Sequence, residues 1–300
     1  MIDTLKNYLG HWQWNLALVE QPAADIVAHG IRGRVRWLPT PPVWRFLADP
    51  FVLAGRLYCE HFDYRDGVGQ IWSGAIDAQA EPWAKPAPLL REAGHMSFPF
   101  AFNAGGADHI VCETWESGGA SHYVRDGGWH LSGRIDPGFG PVVDPALYHD
   151  GARWWLFCGH IGRQPDADLY LYHADDLAGP WQPHPLNPVV RDRSGARSAG
   201  PLFPAADGLV RPAQDCSQTY GGALTLKVVA ELSPTAYVER TIRRIAPLPP
   251  WRGGLHHLCP AGEVTIVDGK RWRLHPLDLP RKVFSGWRSK RRRAMLRAKS

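Results

Sequence analysis

The sequence lacks the features that define several common classes of protein. No apolar run approaches the length of a membrane-spanning helix, and the first residues, 1–6, are not followed by the apolar core of a secretory signal peptide. Glycine-rich phosphate loops of the G-x-G-x-x-G and P-loop kinds are absent, as is the spaced histidine pair of a helical zinc site. These absences predict a soluble, cytoplasmic protein that uses no cofactor and no metal.

Cysteine is scarce, with five residues in a chain of 300. The number is odd and no C-x-x-C occurs, which argues against both a disulfide framework and a zinc ribbon. Three of them, Cys59, Cys112 and Cys158, fall in similar apolar segments, where a thiol packs as a small apolar group. We therefore expect buried free thiols.

Acidic residues are missing from the last 20 positions, which carry nine Lys or Arg. The formal net charge of +5 thus leaves −4 (5 minus 9) for the first 280 residues, so the body of the protein is mildly acidic. Segment 281–300 mixes cations with Phe284, Trp287 and Leu296, as would suit an anionic membrane surface, but a disordered solubilising tail fits equally. An acidic body argues against nucleic acid as a partner.

Turn-forming and aromatic residues are plentiful. The chain has 31 Gly, 27 Pro and 14 Trp, a composition typical of many short strands joined by tight turns. The stretch 142–159 illustrates this, since an Asp-Pro strand leads into a His-Asp-Gly turn and then into a strand dense in aromatics. Asp-Gly between two apolar runs is the strongest short-range hairpin signal.

This pattern recurs along the chain. Related segments begin near Leu47, Ser97 and Ala199, and their internal prolines at 50, 99, 145 and 201 are spaced by 49, 46 and 56 residues. A period of roughly 40–50 residues, each unit made of short strands, is typical of propeller blades. The sequence predicts an all-β, five-bladed β-propeller over residues 1–280, followed by the basic tail 281–300.

Blade five is expected to begin near Gly254 and to supply three strands from segments 254–259, 264–269 and 271–274. An isolated strand candidate, 12–20, would be the missing fourth and would close the ring. Closure of this kind removes the exposed edges that an open array of sheets leaves.

The residues that open each repeat would meet at one mouth of the central channel. They include two carboxylates, Asp49 and Asp144, with Arg197, His256 and His257 in later repeats. Carboxylates and histidines converging on one funnel suit acid–base chemistry on a sugar. Asp before Pro also opens turns for local reasons, because its side chain caps its own backbone.

Two further segments contribute candidate site residues. Glu113 follows a buried strand beside Trp115, as does its blade-one counterpart Glu60 after Cys59, so its pKa could be raised for use as an acid, or it could be a solvated residue of the rim. Segment 211–222 is polar where other repeats are apolar, and its side chains bind either substrate or one another. Its candidates are Arg211, Gln214 and Tyr220 for substrate binding and Asp215 as an acid.

These segments together resemble the N-terminal propeller module of glucosamine inositolphosphorylceramide transferases. The similarity rests on segments 96–100 and 112–114, Asp144-Pro145, 211–222 and 254–257, and it covers residues 12–276. More distantly the layout resembles the five-bladed glycoside hydrolases of the arabinanase and levansucrase superfamily. That resemblance implies catalytic roles for Asp49 and Asp144, whereas the third carboxylate of those hydrolases has no counterpart in Ser198-Ala199-Gly200-Pro201.

The resemblance favours a carbohydrate-active enzyme, foremost a glycosyltransferase of surface-glycan or glycolipid synthesis. A glycoside hydrolase and a non-catalytic sugar-binding propeller are the alternatives. The expected partners are a sugar donor or glycan and, through the basic tail, an anionic membrane surface at the periphery of the cytoplasm.

Overall fold

A computed structural model describes residues 10–274 and consists of five antiparallel sheets. In chain order the strands are β1 (Gly10–Val19), β2 (Val35–Trp37), β3 (Arg45–Leu53), β4 (Arg56–Asp63), β5 (Val68–Ala75), β6 (Ala87–Leu90), β7 (Ser97–Ala104), β8 (Ala107–Thr114), β9 (Gly119–Asp126), β10 (Gly128–Ile135), β11 (Val142–His149), β12 (Trp154–His160), β13 (Asp168–Ala174), β14 (Gln182–Pro183), β15 (Val190–Arg191), β16 (Phe203–Ala205), β17 (Gly208–Asp215), β18 (Ala223–Leu232), β19 (Tyr237–Ile245), β20 (Leu258–Ala261) and β21 (Val264–Leu274). A helix α1 (Ala23–His29) and a 3₁₀ turn (Trp115–Ser117) are the helical segments of this part of the chain.

Each sheet is one blade of a five-bladed propeller, which confirms the predicted fold. Blade one has the order β3-β4-β5-β6, blade two β7-β8-β9-β10, and blade four β16-β17-β18-β19. Blade three runs β11-β12-β13-β14, with β15 also pairing with β13.

Blade five joins the two ends of the described chain, in the order β20-β21-β1-β2. Strand β1 pairs with β21 over ten residues, from Gly10 opposite Leu274 to Val19 opposite Thr265. Closure by the N-terminal strand is therefore confirmed, but the predicted strand count was wrong. The C-terminal segment supplies two strands instead of three, because 264–274 is one continuous strand. Segment 254–257 precedes β20, and β2 provides the outermost strand.

The innermost strands of blades one, two and three share a kink. In each, the register with the next strand shifts at an X-Pro pair, and the residue before proline has a positive φ: 51° at Asp49, 47° at Phe98 and 47° at Asp144. Gly200, before Pro201 in blade four, has a φ of 133°. The structural counterpart of the two aspartates in blade two is thus Phe98, one residue after the predicted opener Ser97.

The interior is apolar between the blades. Phe51, Phe98 and Phe100 pack between blades one and two, and Trp155 and Phe157 extend the same core into blade three. All five cysteines are buried and free, as expected, and burial raises the pKa of the Cys59 thiol.

Residues 10–274 give little evidence on the predicted location of the protein and none on its basic tail. Helix α1 has seven residues, and no helix within residues 10–274 has the length and apolar character needed to cross a membrane. The basic segment 281–300 lies outside the described residues, so its role remains a prediction.

Candidate functional site

A pocket of about 200 Å³ opens where the innermost strands of the blades begin. Its chemistry comes from all five blades: Asp49 and Glu60 from blade one, Glu113 from blade two, Asp144 from blade three, Arg197 and Tyr220 from segments leading into and within blade four, and His256 from the segment before β20. The fold therefore brings together side chains that lie more than 200 positions apart in the sequence.

The kinked X-Pro positions aim Asp49 and Asp144 into this pocket. The carboxylates of Asp49, Asp268 and Glu113 receive backbone hydrogen bonds across blade boundaries. The N–H of Asp49 donates to Asp268 Oδ2 (3.4 Å), the N–H of Phe98 to Asp49 Oδ2 (3.2 Å), and the N–H of Asp144 to Glu113 Oε2 (3.0 Å). The acids that line the pocket consequently also join one blade to the next.

Asp49 is held in its ionised form. Burial alone would raise the pKa of its carboxyl, but the nearby imidazoles of His257 and His256 and the backbone N–H of Phe98 outweigh burial and lower it. Asp49 Oδ1 lies 3.7 Å from both His256 Nε2 and His257 Nδ1. Asp268 supports the arrangement from behind, since it lies 2.5 Å from His256 Nδ1 and raises the pKa of that imidazole against the opposing effect of burial.

The carboxylate of Asp144 accepts hydrogen bonds from one cationic side chain and one amide side chain. Arg197 Nε donates to its Oδ2 at 2.6 Å, and Gln214 Nε2 donates to the same oxygen at 3.2 Å. The guanidinium of Arg197 also bonds to Asp166 Oδ1 (3.0 Å) and lies 4.9 Å from the centre of the Tyr220 ring. Arg197, Gln214 and Tyr220, three of the sequence-derived candidates, thus surround one carboxylate.

Two glutamates in the pocket have pKa values well above the usual range. Burial, together with the charge of Asp144, raises the pKa of Glu113 well above its usual range, in spite of the opposing charge of Arg197. Burial and the neighbouring carboxylates, Asp49 first among them, do the same for Glu60. Glu60 occupies the same position in its repeat as Glu113, and this shared position was the feature of the sequence that indicated a role for Glu60 in the site.

His95 was not anticipated from the sequence. It lies in the connection between β6 and β7, outside any repeat, and its Nε2 is 3.6 Å from Glu60 Oε1. Only the path of this connection along the pocket shows that His95 is one of the lining residues.

Four sequence-derived candidates do not line the pocket, and one of them, Gln214, reaches it only through its hydrogen bond to Asp144. Arg211 forms a two-bonded ion pair with Glu239, with both N–O distances 2.8 Å, at a site where both side chains are buried. Asp215 pairs with Arg244 at 2.6 Å and accepts a hydrogen bond from Ser217. His257 is fully buried behind Asp49, against the rings of Phe51 and Phe98.

One set of side chains could surround a metal ion. Donor atoms of Asp49, His256 and Asp268 all lie within 4.8 Å of one another, and all three residues are buried. Asp268 Oδ1 already accepts the N–H groups of His256 and His257 at 3.0 Å each. Asp268 thus fixes the backbone of His256 and lies 2.5 Å from its Nδ1, and the other ring nitrogen, Nε2, lies 3.7 Å from Asp49 Oδ1.

Fold and pocket define the class of protein: a five-bladed propeller whose channel mouth is lined by buried carboxyl groups from three blades. Solved structures share this fold. An α-L-arabinofuranosidase from Podospora anserina superposes with a TM-score of 0.52 at 14% identity, and the alignment covers 72% of this chain and 78% of that one. A family-62 α-L-arabinofuranosidase from Coprinopsis cinerea gives 0.51 at 14% identity with the same coverage. At this identity the likeness shows the fold alone.

The sequence places the chain more narrowly. Residues 40–246 match the family model described as "Glucosamine inositolphosphorylceramide transferase 1, N-terminal", and the chain belongs to this family. Curated relatives are glucosamine inositolphosphorylceramide transferase 1 of Oryza sativa subsp. japonica, 30% identical over 75% of this chain, and of Arabidopsis thaliana, 29% identical over 65%. The alignments cover only 33% and 27% of those proteins, so the chain spans about a third of their length.

Proposed function

We propose that this protein is a carbohydrate-active enzyme that transfers a glycosyl group to an acceptor hydroxyl in the synthesis of a glycolipid or surface glycan. The family supports the pathway class, since the curated relatives are named as transferases acting on an inositolphosphorylceramide. The pocket supports the chemistry.

The observation that carries the proposal is the convergence of four buried carboxyl groups, those of Asp49, Glu60, Glu113 and Asp144, on one small pocket. Their surroundings differ, because neighbouring imidazoles lower the pKa of Asp49, whereas burial raises the pKa of Glu60 and of Glu113 well above the usual range. Titratable groups whose surroundings drive their pKa values apart are the arrangement that acid–base catalysis needs at neutral pH. A purely structural cluster of acids has no requirement for this division.

The roles follow from the charges. Asp49 accepts the proton of the acceptor hydroxyl as that oxygen forms its bond to the anomeric carbon, and a neutral glutamate protonates the departing oxygen. Asp144, fixed by Arg197 and Gln214, faces the same space and stabilises positive charge that develops on the sugar ring.

The volume of the pocket limits how much of the substrate it encloses. Sites that enclose drug-sized ligands measure roughly 300–1,000 Å³. At about 200 Å³ this pocket suits one sugar ring, with the rest of donor and acceptor lying over the mouth of the channel.

Glycoside hydrolysis is the second candidate, and the two neutral glutamates favour it. The third carboxylate of the five-bladed hydrolases has no counterpart in segment 198–201, which would leave this protein without a proton donor. Either of the two glutamates with a raised pKa could take that role. Transfer and hydrolysis then differ in the acceptor, which is an alcohol in the first and water in the second.

A binding and turnover screen tests the proposal. The protein is incubated with a panel of 4-nitrophenyl glycosides and nucleotide sugars, with and without glycerol or an oligosaccharide as acceptor, and products are identified by mass spectrometry. Transfer predicts a new glycoside that requires the acceptor, whereas hydrolysis predicts free sugar without it. Asp49→Asn should lower turnover by about 10²-fold or more while ligand binding persists in a thermal-shift assay. Binding without turnover in the wild-type protein would instead indicate a sugar-binding module.

A further inference from the structure

Glu60 has an incompletely satisfied carboxyl group. Its side chain lines the pocket, the residue is 5% exposed, and within residues 10–274 its Oε1 accepts no hydrogen bond. Buried polar atoms in proteins are nearly always hydrogen-bonded, and exceptions mark places where a ligand or water completes the bonding. A buried, unpartnered carboxyl oxygen beside the pocket therefore points to a ligand.

His95 is oriented towards this oxygen in a defined tautomer. The backbone N–H of Gly69 donates to His95 Nδ1 at 2.9 Å, which occupies the lone pair on that nitrogen. The neutral ring must then carry its proton on Nε2, and Nε2 lies 3.6 Å from Glu60 Oε1. His95 Nε2 therefore faces Oε1 at a distance longer than a hydrogen bond, and Oε1 stays available to a ligand.

The close approach of His95 and Glu60 depends on the glycine between them. A Cβ atom at Gly69 would lie 2.6 Å from Glu60 Oε1, 2.9 Å from His95 Cε1 and 2.3 Å from the carbonyl oxygen of Met96. The backbone of His95 is also fixed, because its N–H donates to Glu116 Oε2 at 3.1 Å. The pair is thus built into the fold.

Glu113, the other neutral glutamate, is engaged differently. Its Oε2 accepts the N–H of Asp144 at 3.0 Å. The carboxyl of Glu113 therefore has a bonding partner within the protein, whereas Oε1 of Glu60 has none among residues 10–274.

We propose that Glu60 is the catalytic proton donor of the pocket and that His95 is its positioning residue. The assignment rests on the function proposed above and makes it more specific. The proton on the Glu60 carboxyl passes to the glycosidic oxygen as the bond from the anomeric carbon to that oxygen breaks, and Asp49 takes the proton of the acceptor hydroxyl as the new bond forms. The balance is one glycoside and one alcohol consumed, one glycoside and one alcohol formed, with a proton moved from Glu60 to Asp49.

A dedicated proton donor also specifies the class of donor substrate. A phosphate leaves as a stable anion and needs no protonation, but an alkoxide does. The donor is accordingly a glycoside with an alcohol as leaving group, rather than a sugar phosphate.

The groups that face Glu60 raise its pKa well above the usual range of a glutamate. They are Asp49 on β3, Glu113 on β8, Asp144 on β11 and Asp268 on β21, with His95 in the connection before β7. Burial is the largest cause of its raised pKa, and the four carboxylates add to it.

The first test is kinetic. Wild-type protein and Glu60→Gln are compared on 4-nitrophenyl glycosides, whose leaving group needs little protonation, and on the matching methyl glycosides, across the pH range. Glu60→Gln should lower kcat/KM about 10²–10⁴-fold on methyl glycosides and less than about tenfold on 4-nitrophenyl glycosides. The alkaline limb of the wild-type pH profile should vanish in the variant. Full activity of Glu60→Gln on methyl glycosides would overturn the assignment.

His95→Phe tests the positioning role. Loss of the Nε2–H, which favours the ionised form of Glu60, should move the alkaline limb of the profile to higher pH. A merely structural residue would lower activity without moving that limb, and an unmoved limb would overturn the role of His95. Glu231→Gln, at an exposed position of β18, is the matched control and should change neither quantity.

The second test needs no substrate. Protein labelled with ¹³C at the glutamate side-chain carboxyl carbon is titrated by NMR, and the Glu60 signal is the one missing from Glu60→Gln. A signal that stays protonated at neutral pH supports the proposal, and one that titrates in the ordinary glutamate range overturns it. If Glu60 stays protonated but the wild-type protein turns over no glycoside or nucleotide sugar, the proposed function fails and the catalytic role with it, while the buried acid stands.

Discussion

At the scale of single residues, Asp49 and Asp144 combine backbone strain with a position in the pocket. Both have φ near 50°, a conformation that costs L-residues roughly 1–2 kcal/mol, although Asp tolerates it better than most. Residues before proline are also pushed towards extended conformations. Hydrogen bonds from their N–H groups to carboxylates of neighbouring blades offset part of this strain. Strain of this kind is concentrated at functional sites.

The Arg211–Glu239 pair should act on stability and not on ligand binding. Removing one partner of a buried ion pair costs about 3–5 kcal/mol, because the other charge stays buried. Lys227 Nζ remains 3.2 Å from Glu239, so we expect Arg211→Met to lower the free energy of unfolding by about 3 kcal/mol, as measured by urea denaturation.

A double variant serves as the control for this pair. Arg211→Met combined with Glu239→Leu removes the isolated charge and should recover much of the loss. If Arg211→Met instead kept full stability but lost binding to a carbohydrate found in the screen, Arg211 would be the substrate ligand that the polar segment 211–222 suggested.

Glu60 should make stability depend on pH in a way that glutamine cannot. Its folded pKa is raised well above the ordinary value of 4.5, so in the folded state it keeps a proton that the unfolded chain releases. Its contribution is fully present below 4.5 and is lost as pH rises towards the folded pKa. Relative to the wild type, Glu60→Gln should therefore gain about 1.4 kcal/mol of stability per pH unit over this window. A difference that stayed constant with pH would contradict the neutral state of Glu60, and Glu231→Gln should show no such trend.

At the scale of elements, the repeated hairpins are the feature that local sequence decides. Leu53 pairs with Arg56 across the two-residue turn Ala54-Gly55, and both turn residues have positive φ, 48° and 71°. Turns with two positive φ values match the twist of the strands they join, and they favour Asn-Gly because Asn accepts this conformation better than Ala.

Ala54→Asn should thus stabilise the protein. We expect a gain of about 0.5–1 kcal/mol in urea denaturation, since Ala54 is exposed and the change acts through backbone preference. Gly55→Ala is the opposing variant. Its Cβ would meet no atom within 4 Å, so its expected loss of about 1 kcal/mol has the same conformational origin. A loss of stability in Ala54→Asn would show that the turn is not strained at Ala54.

At the scale of the whole molecule, closure of the ring depends on β1. Leu38 N–H donates to Leu16 O and Glu20 N–H donates to Arg34 O, so the backbone groups of alternate residues of β1 face β2. The N–H of Ala17 consequently faces β21, opposite Val267, while the N–H of Val35 points away from β1 at the edge of the blade.

Proline substitutions at Ala17 and Val35 should have different effects on stability. Ala17→Pro removes a ladder hydrogen bond inside the closing sheet and should cost about 3 kcal/mol or more, which would be seen as loss of a cooperative unfolding transition or its shift to lower urea. Val35→Pro, at the first residue of an edge strand, should cost less than about 1 kcal/mol. Equal effects would mean that β1 does not hold the ring together.

Local patterns in the sequence determined the repeats of this protein. Asp-Gly and Ala-Gly turns, X-Pro pairs and apolar strands recur at a nearly constant spacing, and each is a preference of a few neighbouring residues. The same register aligned Glu60 with Glu113 and brought Asp49 and Asp144 to one end of the channel. Such short-range signals suffice for a blade because a blade is a run of hairpins.

Only the tertiary structure decided the chemistry of the pocket. The sequence could not show that Arg211 forms an ion pair with Glu239 or that Asp215 forms one with Arg244. It also could not show that His95, in the connection between two blades, lies close to Glu60. The sequence also did not predict the number of strands that each end of the chain contributes to blade five, because the paired strands lie at opposite ends of the described chain. The physical reason is the same in each case. Protonation state and pairing depend on burial and on charges brought close by ring closure, and neither quantity is encoded in the spacing of residues along one segment.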